Sequence, residues 1–226
     1  MRFFNTAGPV QCEKHYCLPP LSRFDLPEIL NLINQEKYFV LHAPRQSGKT
    51  SCLLALREYL NRDGKFATFY MNVETGQTAR SDVGRGMKAI ISELAFQTDL
   101  TIEDASLRDQ INHYIDVYGP DAAFKMVLSD ICKKISLPVV VLIDEIDALV
   151  GDTLISVLRQ LRSGYTERPA SFPSSIILCG VRDVRDYRIH SDKDKAIITG
   201  GSAFNVKAES LRLGNFTEEE TRTLLL

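Results

Sequence analysis

The sequence predicts a three-layer α/β/α sandwich around a mainly parallel five-stranded sheet. Three observations predict it. Apolar strand-like runs alternate with amphipathic helix-like runs along the chain, as parallel strands joined by crossover helices require. The run from Pro138 to Ile143 is continuously aliphatic and rich in valine, the composition of a strand covered on both faces. A loop ending in Gly48-Lys49-Thr50 joins a short apolar run to a helical stripe.

Taken in order, residues 1–35 are irregular, broken by Gly8-Pro9 and Pro19-Pro20. Within them Asp25-Leu26-Pro27 opens a short helix with Ile29, Leu30 and Ile33 on one face. Tyr38 to Leu41 reads as the first strand. Beyond the loop, Cys52, Leu53, Leu56 and Leu60 recur at helical spacing, and Asn61–Gly64 ends that helix. Phe66 to Val73 alternates as a second strand. Met87, Ile90, Ile91, Leu94 and Ala95 make a helical stripe, residues 101–119 a weaker helix or two, and Gly119-Pro120-Asp121 starts a further one carrying Phe124, Val127, Leu128 and Ile131. The aliphatic run follows as the third strand. Leu154, Val157, Leu158 and Leu161 mark another helix, Ser175 to Cys179 a fourth strand, and residues 183–202 a charged, then glycine-rich loop with some helix. Glu209 to Leu213 is read as a fifth strand, and Thr217-Glu218-Glu219-Glu220 as a capping box that starts a helix.

Composition narrows the function. The 226 residues suit one large domain: an N-terminal segment, 1–35, and a core, 36–226. A net charge of −2, from 27 basic and 29 acidic side chains, sets up no general attraction to nucleic acid or to an anionic membrane. No apolar run is long enough to span a bilayer, and the N-terminus lacks a signal-peptide core, so a cytoplasmic protein is expected. The five scattered cysteines are then expected to be reduced thiols. Cys12, His15 and Cys17 lack the second close pair that structural zinc uses. Arg182, Arg185 and Arg188 alternate with Asp183 and Asp186, a self-paired solvated segment rather than a nucleic-acid patch.

The chemistry is concentrated in two segments. A loop between a strand and a helix points backbone N–H groups at an anion, and the helix N-terminus adds partial positive charge. In Ala43-Pro44-Arg45-Gln46-Ser47-Gly48-Lys49-Thr50-Ser51, Gly48 permits the close approach, Lys49 reaches the β- and γ-phosphates, and the Thr50 hydroxyl binds Mg²⁺. The usual pattern, G-x-x-x-x-G-K-[ST], has glycine where this chain has Ala43, a change that matters only if φ must be positive there. The second segment is the third strand, which ends in Asp144-Glu145. A parallel strand beside the loop would bring Asp144 to the Mg²⁺, and Glu145 would activate the attacking water. Each segment has an ordinary structural explanation when taken alone. Both together, in this order, point to a nucleotide site for ATP or ADP with Mg²⁺.

Ala-Pro-Arg-Gln-Ser-Gly-Lys-Thr resembles the phosphate loop of AAA+/STAND ATPases, and Asp144-Glu145-Ile146-Asp147 resembles their Walker B segment, also seen in origin-recognition initiators. The chain is similar over nearly its whole length to a bacterial family of AAA-like-domain ATP-binding proteins. The similarity includes Gly8-Pro9, His15-Tyr16, Ala203-Phe204-Asn205 and the stretch Leu213–Glu220. The resemblance implies a P-loop NTPase sheet in the order 5-1-4-3-2, with the Walker B strand adjacent in space to the loop's strand. It implies a helical lid beyond the fifth strand, absent or truncated here because the chain stops at Leu226. It further implies that Arg182 senses the γ-phosphate, that Asn72 restrains the catalytic glutamate, and that the segment from Val10 to Arg23 lies against the adenine. The expected activity is Mg²⁺-dependent ATP hydrolysis. The alternatives are a nucleotide-dependent switch or scaffold with little turnover, assembling as a homo-oligomer or with a protein partner, or a DNA-associated initiator-like ATPase. A small-molecule kinase fits less well.

Overall fold

The computed structural model describes residues 2–6, 8–192 and 195–225; Met1 of the N-terminal segment, residues 193–194 of the charged stretch, and the terminal Leu226 lie outside the described residues, as does Ala7. The central sheet has five parallel strands: β1 (Tyr38–His42), β2 (Ala67–Asn72), β3 (Val139–Asp144), β4 (Ser175–Gly180) and β7 (Lys207–Arg212), in the spatial order β2-β3-β4-β1-β7. This is the expected order, with β7 as the fifth strand of the sheet. It corrects one expectation: the Asp144 strand does not lie beside the loop's strand, because β4 is hydrogen-bonded to both and separates them.

Residues alternate across each strand, so each strand feeds two cores. Tyr38, Val40, Phe69, Met71, Val141 and Ile143 pack beneath α3 (Val83–Ile102), α4 (Ser106–Tyr118), α5 (Pro120–Lys134) and α6 (Gly151–Ser163). Phe39, Leu41, Tyr70, Val140, Leu142 and Ile177 pack on the other face under α1 (Leu26–Asn34) and α2 (Lys49–Asp63). In α2 the stripe read from the sequence is the buried stripe: Leu53 and Leu56 are fully buried and Leu60 nearly so, each burial contributing about 2 kcal/mol. Asn61, on the last turn of α2, hydrogen-bonds both the N–H and the C=O of Thr68, occupying part of the free edge of β2.

The stretch expected as loop with some helix is more ordered than its composition indicates. β5 (Arg188–Ser191) and β6 (Ala196–Thr199) form an antiparallel hairpin, followed by the short α7 (Gly200–Ala203). The expected self-pairing is partly present, since Arg185 pairs with Asp183 at 3.1 Å, but Asp183 also takes Lys207 of β7 at 2.7 Å. The capping box forms reciprocally at the start of α8 (Glu218–Leu225): Thr217 N–H donates to Glu220 Oε2 at 2.7 Å and Glu220 N–H to Thr217 Oγ1 at 3.1 Å. Cys12 and Cys17 are joined as a disulfide, against the expectation of free thiols, while Cys52, Cys132 and Cys179 are free and buried. Among the described residues no helix is long and apolar enough to cross a membrane.

Candidate nucleotide site

β1 delivers the chain into the loop at Ala43, whose N–H continues the sheet by donating to Gly180 O at 3.1 Å. Ala43 is fully buried and has no positive φ, so the residue that departs from the usual pattern sits in a conformation alanine adopts freely. The left-handed positions are Gln46, at φ 62°, and Gly48, at φ 89°. A Cβ on Gly48 would meet no atom within 4 Å, so glycine is required there by φ rather than by space. Gly48 caps α2, and no side chain caps the helix in its place, which leaves the first N–H groups of a 15-residue helix directed into the loop.

Lys49 is buried at 5% exposure, and its ammonium donates to the carbonyls of Ala43 and Pro44, both at 3.1 Å. With three donors on the ammonium, one remains for another acceptor. The Ser47 hydroxyl donates to Pro44 O at 2.7 Å, tightening the turn, while Pro44, Arg45 and Gln46 are exposed.

The loop and the acid-tipped strand meet although β4 lies between their strands. The Thr50 hydroxyl donates to Asp144 Oδ2 at 2.7 Å. Asp144 is 0% exposed and accepts two further bonds, from the Tyr70 hydroxyl to Oδ2 at 3.1 Å and from the Glu145 N–H to Oδ1 at 2.9 Å. One hydroxyl and one carboxylate are hard oxygen donors of the kind Mg²⁺ takes alongside water and phosphate. Among the described residues no group of three or more His, Cys, Asp and Glu could cage a metal without such outside ligands. Glu145 follows at φ 56°, a left-handed position that turns the chain sharply out of β3. Its carboxyl is half-buried and held above the usual carboxylate range, by burial first and then by Asp144 and Asp147, with Lys49 pulling the other way. Burial and the neighbouring Asp144 likewise push the Tyr70 phenol and the Cys179 thiol upward, so both remain protonated.

Three of the sequence-predicted residues have further partners or other surroundings in the structure. Asn72 lies opposite Asp144 in register, but its side-chain oxygen accepts the Glu74 N–H at 2.8 Å and makes no hydrogen bond to Glu145. The reason is local: an Asn at a strand end closes an Asx turn with the residue two ahead. Arg182 is exposed and lines a cavity of about 900 Å³ together with Arg80, Asp147 and Tyr187, a cavity that includes no residue of the phosphate loop. Ser51 accepts the Val10 N–H at 3.0 Å, so its hydroxyl anchors the N-terminal segment.

That segment forms one wall of a smaller cavity, about 100 Å³, directly against the loop. Val10, Tyr16 and Leu18 face Ser47, Gly48 and Phe216 across it. Its floor is tied to α2, where the Cys52 thiol donates to Pro20 O at 3.2 Å. Two residues that sequence reasoning missed are Tyr70 and Arg23. A tyrosine between Phe69 and Met71, at a buried position of β2, was the available signal for the first. Nothing local marks the second, whose partners lie at the far end of the chain.

A phosphate loop on β1, an acid-tipped strand two places along a parallel sheet, and helices on both faces define a P-loop ATPase core. The chain belongs to the AAA domain family, whose family model matches residues 33–187. Solved structures share the fold. The Walker-type ATPase PABY2304 of Pyrococcus abyssi is 16% identical with a TM-score of 0.57, over 98% of this chain and 60% of its own. Cdc6p from Pyrobaculum aerophilum is 18% identical with a TM-score of 0.50, over 91% of this chain and 47% of its own. A chain in the structure of Drosophila ORC bound to poly(dA/dT) DNA and Cdc6 is 9% identical with a TM-score of 0.52, over 88% and 30%. The chain thus spans 30–60% of the length of these neighbours. No curated protein matches the sequence.

Proposed function

We propose that the chain binds ATP with Mg²⁺ at Ala43–Ser51 and hydrolyses it to ADP and phosphate, as an AAA+/STAND-type ATPase acting in the cytoplasm. The observation that supports this reading is the 2.7 Å hydrogen bond from Thr50 to Asp144. It joins the two motifs into one site across an intervening strand. In this reading the loop N–H groups and Lys49 hold the phosphates, and Thr50 and Asp144 hold the cation. When bound, Mg²⁺ would offset negative charge on the phosphate oxygens. Glu145 takes the proton of the attacking water; its raised proton affinity brings it closer to the working pH, as a general base requires. The adenine is assigned to the small cavity between the N-terminal segment and Phe216, whose lining is mostly apolar.

The test is binding and turnover measured side by side. Lys49→Ala is expected to weaken ATP binding by about 30- to 150-fold, the loss of a buried charge-assisted contact of about 2–3 kcal/mol. Unchanged binding in this variant would overturn the site.

A second reading, a nucleotide-dependent switch with little intrinsic turnover, is favoured by the position of Arg182. Its side chain lines the larger cavity with Asp147 and Tyr187 rather than the phosphate loop. In that reading turnover awaits a homo-oligomeric or heterologous protein partner. A DNA-associated role draws no support from a net charge of −2.

A further inference from the structure

Tyr70 occupies a place where the pattern of β2 asks only for an apolar side chain. It lies directly opposite Leu142 in register and packs with Phe39, Leu41, Val140 and Leu142 on the α2 face of the sheet, at 7% exposure. Phenylalanine would fill the same volume. What tyrosine adds is one hydroxyl, and that hydroxyl lies 3.1 Å from Asp144 Oδ2. The contact is the diagonal one across a strand pair, two residues beyond the partner in register, which an aromatic side chain is long enough to make.

The carboxylate it meets needs orienting. The terminal torsion of an aspartate is broad and twofold, so the side chain's own rotamer does not set the plane of its oxygens. Partners must do so. For the fully buried Asp144 the partners include the Glu145 N–H on Oδ1, the hydroxyls of Thr50 and Tyr70 on Oδ2, and the Cys179 thiol of β4. Thr50 belongs to the phosphate loop and Glu145 to the turn after β3. Tyr70 alone comes from β2, the strand on the other flank of β3 from β4.

We propose that Tyr70 is a positioning residue for Asp144. Its hydroxyl fixes the carboxylate in the plane that lets Oδ2 meet Thr50 and so sets how tightly the Thr50–Asp144 pair takes a divalent cation together with the nucleotide. This rests on the reading of the site given above. Outer partners of metal-binding carboxylates typically change metal affinity by about 10- to 100-fold when removed.

The experiment compares wild type with Tyr70→Phe, measuring the Kd of a fluorescent ATP analogue once with excess Mg²⁺ and once with EDTA, together with thermal unfolding. The expected result is an unchanged Kd in EDTA, within about twofold, and a loss of about tenfold or more in the enhancement by Mg²⁺. In an Asp144→Asn background the same substitution is expected to have no further effect on the Mg²⁺ enhancement, because it acts through that carboxylate. Tyr70→Met fills the space with neither ring nor hydroxyl and shares with Tyr70→Phe only the missing donor; the same cation-specific loss is expected in both. An undiminished Mg²⁺ enhancement in Tyr70→Phe overturns the proposal. So does an equal loss with Mg²⁺ and with EDTA, the outcome for a merely structural hydroxyl. Lys49→Ala loses binding in both solutions, so a failure of the nucleotide reading shows in that variant and a failure of the Tyr70 proposal shows in the cation dependence.

Discussion

Arg23 and Glu220, 197 positions apart in the chain, are joined by two hydrogen bonds from one guanidinium nitrogen to the two carboxylate oxygens, at 2.8 and 2.7 Å. The same guanidinium donates to Gly214 O at 2.9 Å and lies 4.0 Å from the centre of the Phe216 ring. One side chain of the N-terminal segment therefore holds the whole C-terminal segment against the wall of the small cavity beside the phosphate loop. Both sides of that cavity depend on it.

Arg23→Ala is expected to release residues 214–225 without unfolding the domain. α8 has eight residues and no buried side chain, too short to persist alone and too exposed to weaken the core by leaving. The guanidinium is 6% exposed and Glu220 22%, so the pair lies between a surface ion pair and a buried one, worth about 1–2 kcal/mol. Trypsin should cut at Arg222 faster in the variant, while the melting temperature falls by only a few degrees. The Glu220 carboxyl is held below the usual range by the Thr217 N–H first and by Arg23 next. A depressed carboxylate stabilises above its unfolded pKa, about 4.3, and the benefit is lost as pH falls through the lower folded value. The Thr217 amide resonance should therefore report release in acid and no change between pH 6 and 8. Equal trypsin sensitivity of variant and wild type would show that another contact holds the segment.

Glu145→Gln is expected to keep ATP binding and to lose at least about 100-fold in turnover. Its stability should move the other way. A carboxyl with a raised folded pKa contributes stability below its unfolded pKa and loses it as pH rises through the folded one, so the ionised side chain is a cost at neutral pH. The glutamine variant should melt at or above wild type at pH 7.5, with the gap closing toward pH 4. The acid limb of the wild-type turnover profile should lie above the ordinary glutamate value of about 4.3. Full turnover in the variant would place the base elsewhere.

How much of this was legible follows from how far each feature reaches along the chain. β3 was readable because a strand buried on both faces must be aliphatic throughout, and Val139 to Ile143 is. The capping box was readable because its two partners, Thr217 and Glu220, are one helical turn apart. The loop and the acid pair were readable as separate local motifs. Their meeting was not, because the position of β4 between β1 and β3 is set by the packing of the whole sheet. The β5–β6 hairpin was hidden by its short strands, such as Arg188–Ser191, whose charged and half-exposed residues read as a solvated loop. Asn72 closes an Asx turn with the Glu74 N–H, a local contact that its place at the end of β2 did not reveal. The Arg23–Glu220 and Tyr70–Asp144 contacts join positions with no sequence relationship, and only the fold brings them together.

Gly180→Ala tests the junction between β4 and the turn after β3. A Cβ there would stand 2.7 Å from Asp147 Oδ1, 3.0 Å from the Tyr187 hydroxyl and 3.1 Å from Ile146 Cγ2. Asp147 cannot simply swing away, since the same Oδ1 accepts the Val181 N–H at 3.1 Å. Overpacking of this kind costs about 1–3 kcal/mol, so a fall in melting temperature of about 2–12 °C is expected. A variant as stable as wild type would show that Asp147 is held less firmly than its contacts indicate.

Ala43→Gly restores the glycine of the common phosphate-loop pattern, and it is expected to improve nothing. Glycine is favoured at that position where φ must be positive or where a side chain would crowd the ligand. Neither applies to the backbone here: Ala43 has no positive φ, its methyl is fully buried, and its carbonyl faces inward as an acceptor for Lys49. Removing the methyl forfeits about 0.8 kcal/mol of burial, and the freer unfolded chain adds about 0.4–1 kcal/mol. The sum, roughly 1–2 kcal/mol, corresponds to a melting temperature lower by about 2–8 °C. The Kd for ATP should stay within about twofold, because the left-handed turns that shape the cradle are at Gln46 and Gly48. Calorimetry on the two proteins decides the matter. Markedly tighter binding by the glycine variant would mean that the loop takes up a positive φ at this position when nucleotide enters, and the cradle would then have to be redrawn around residue 43.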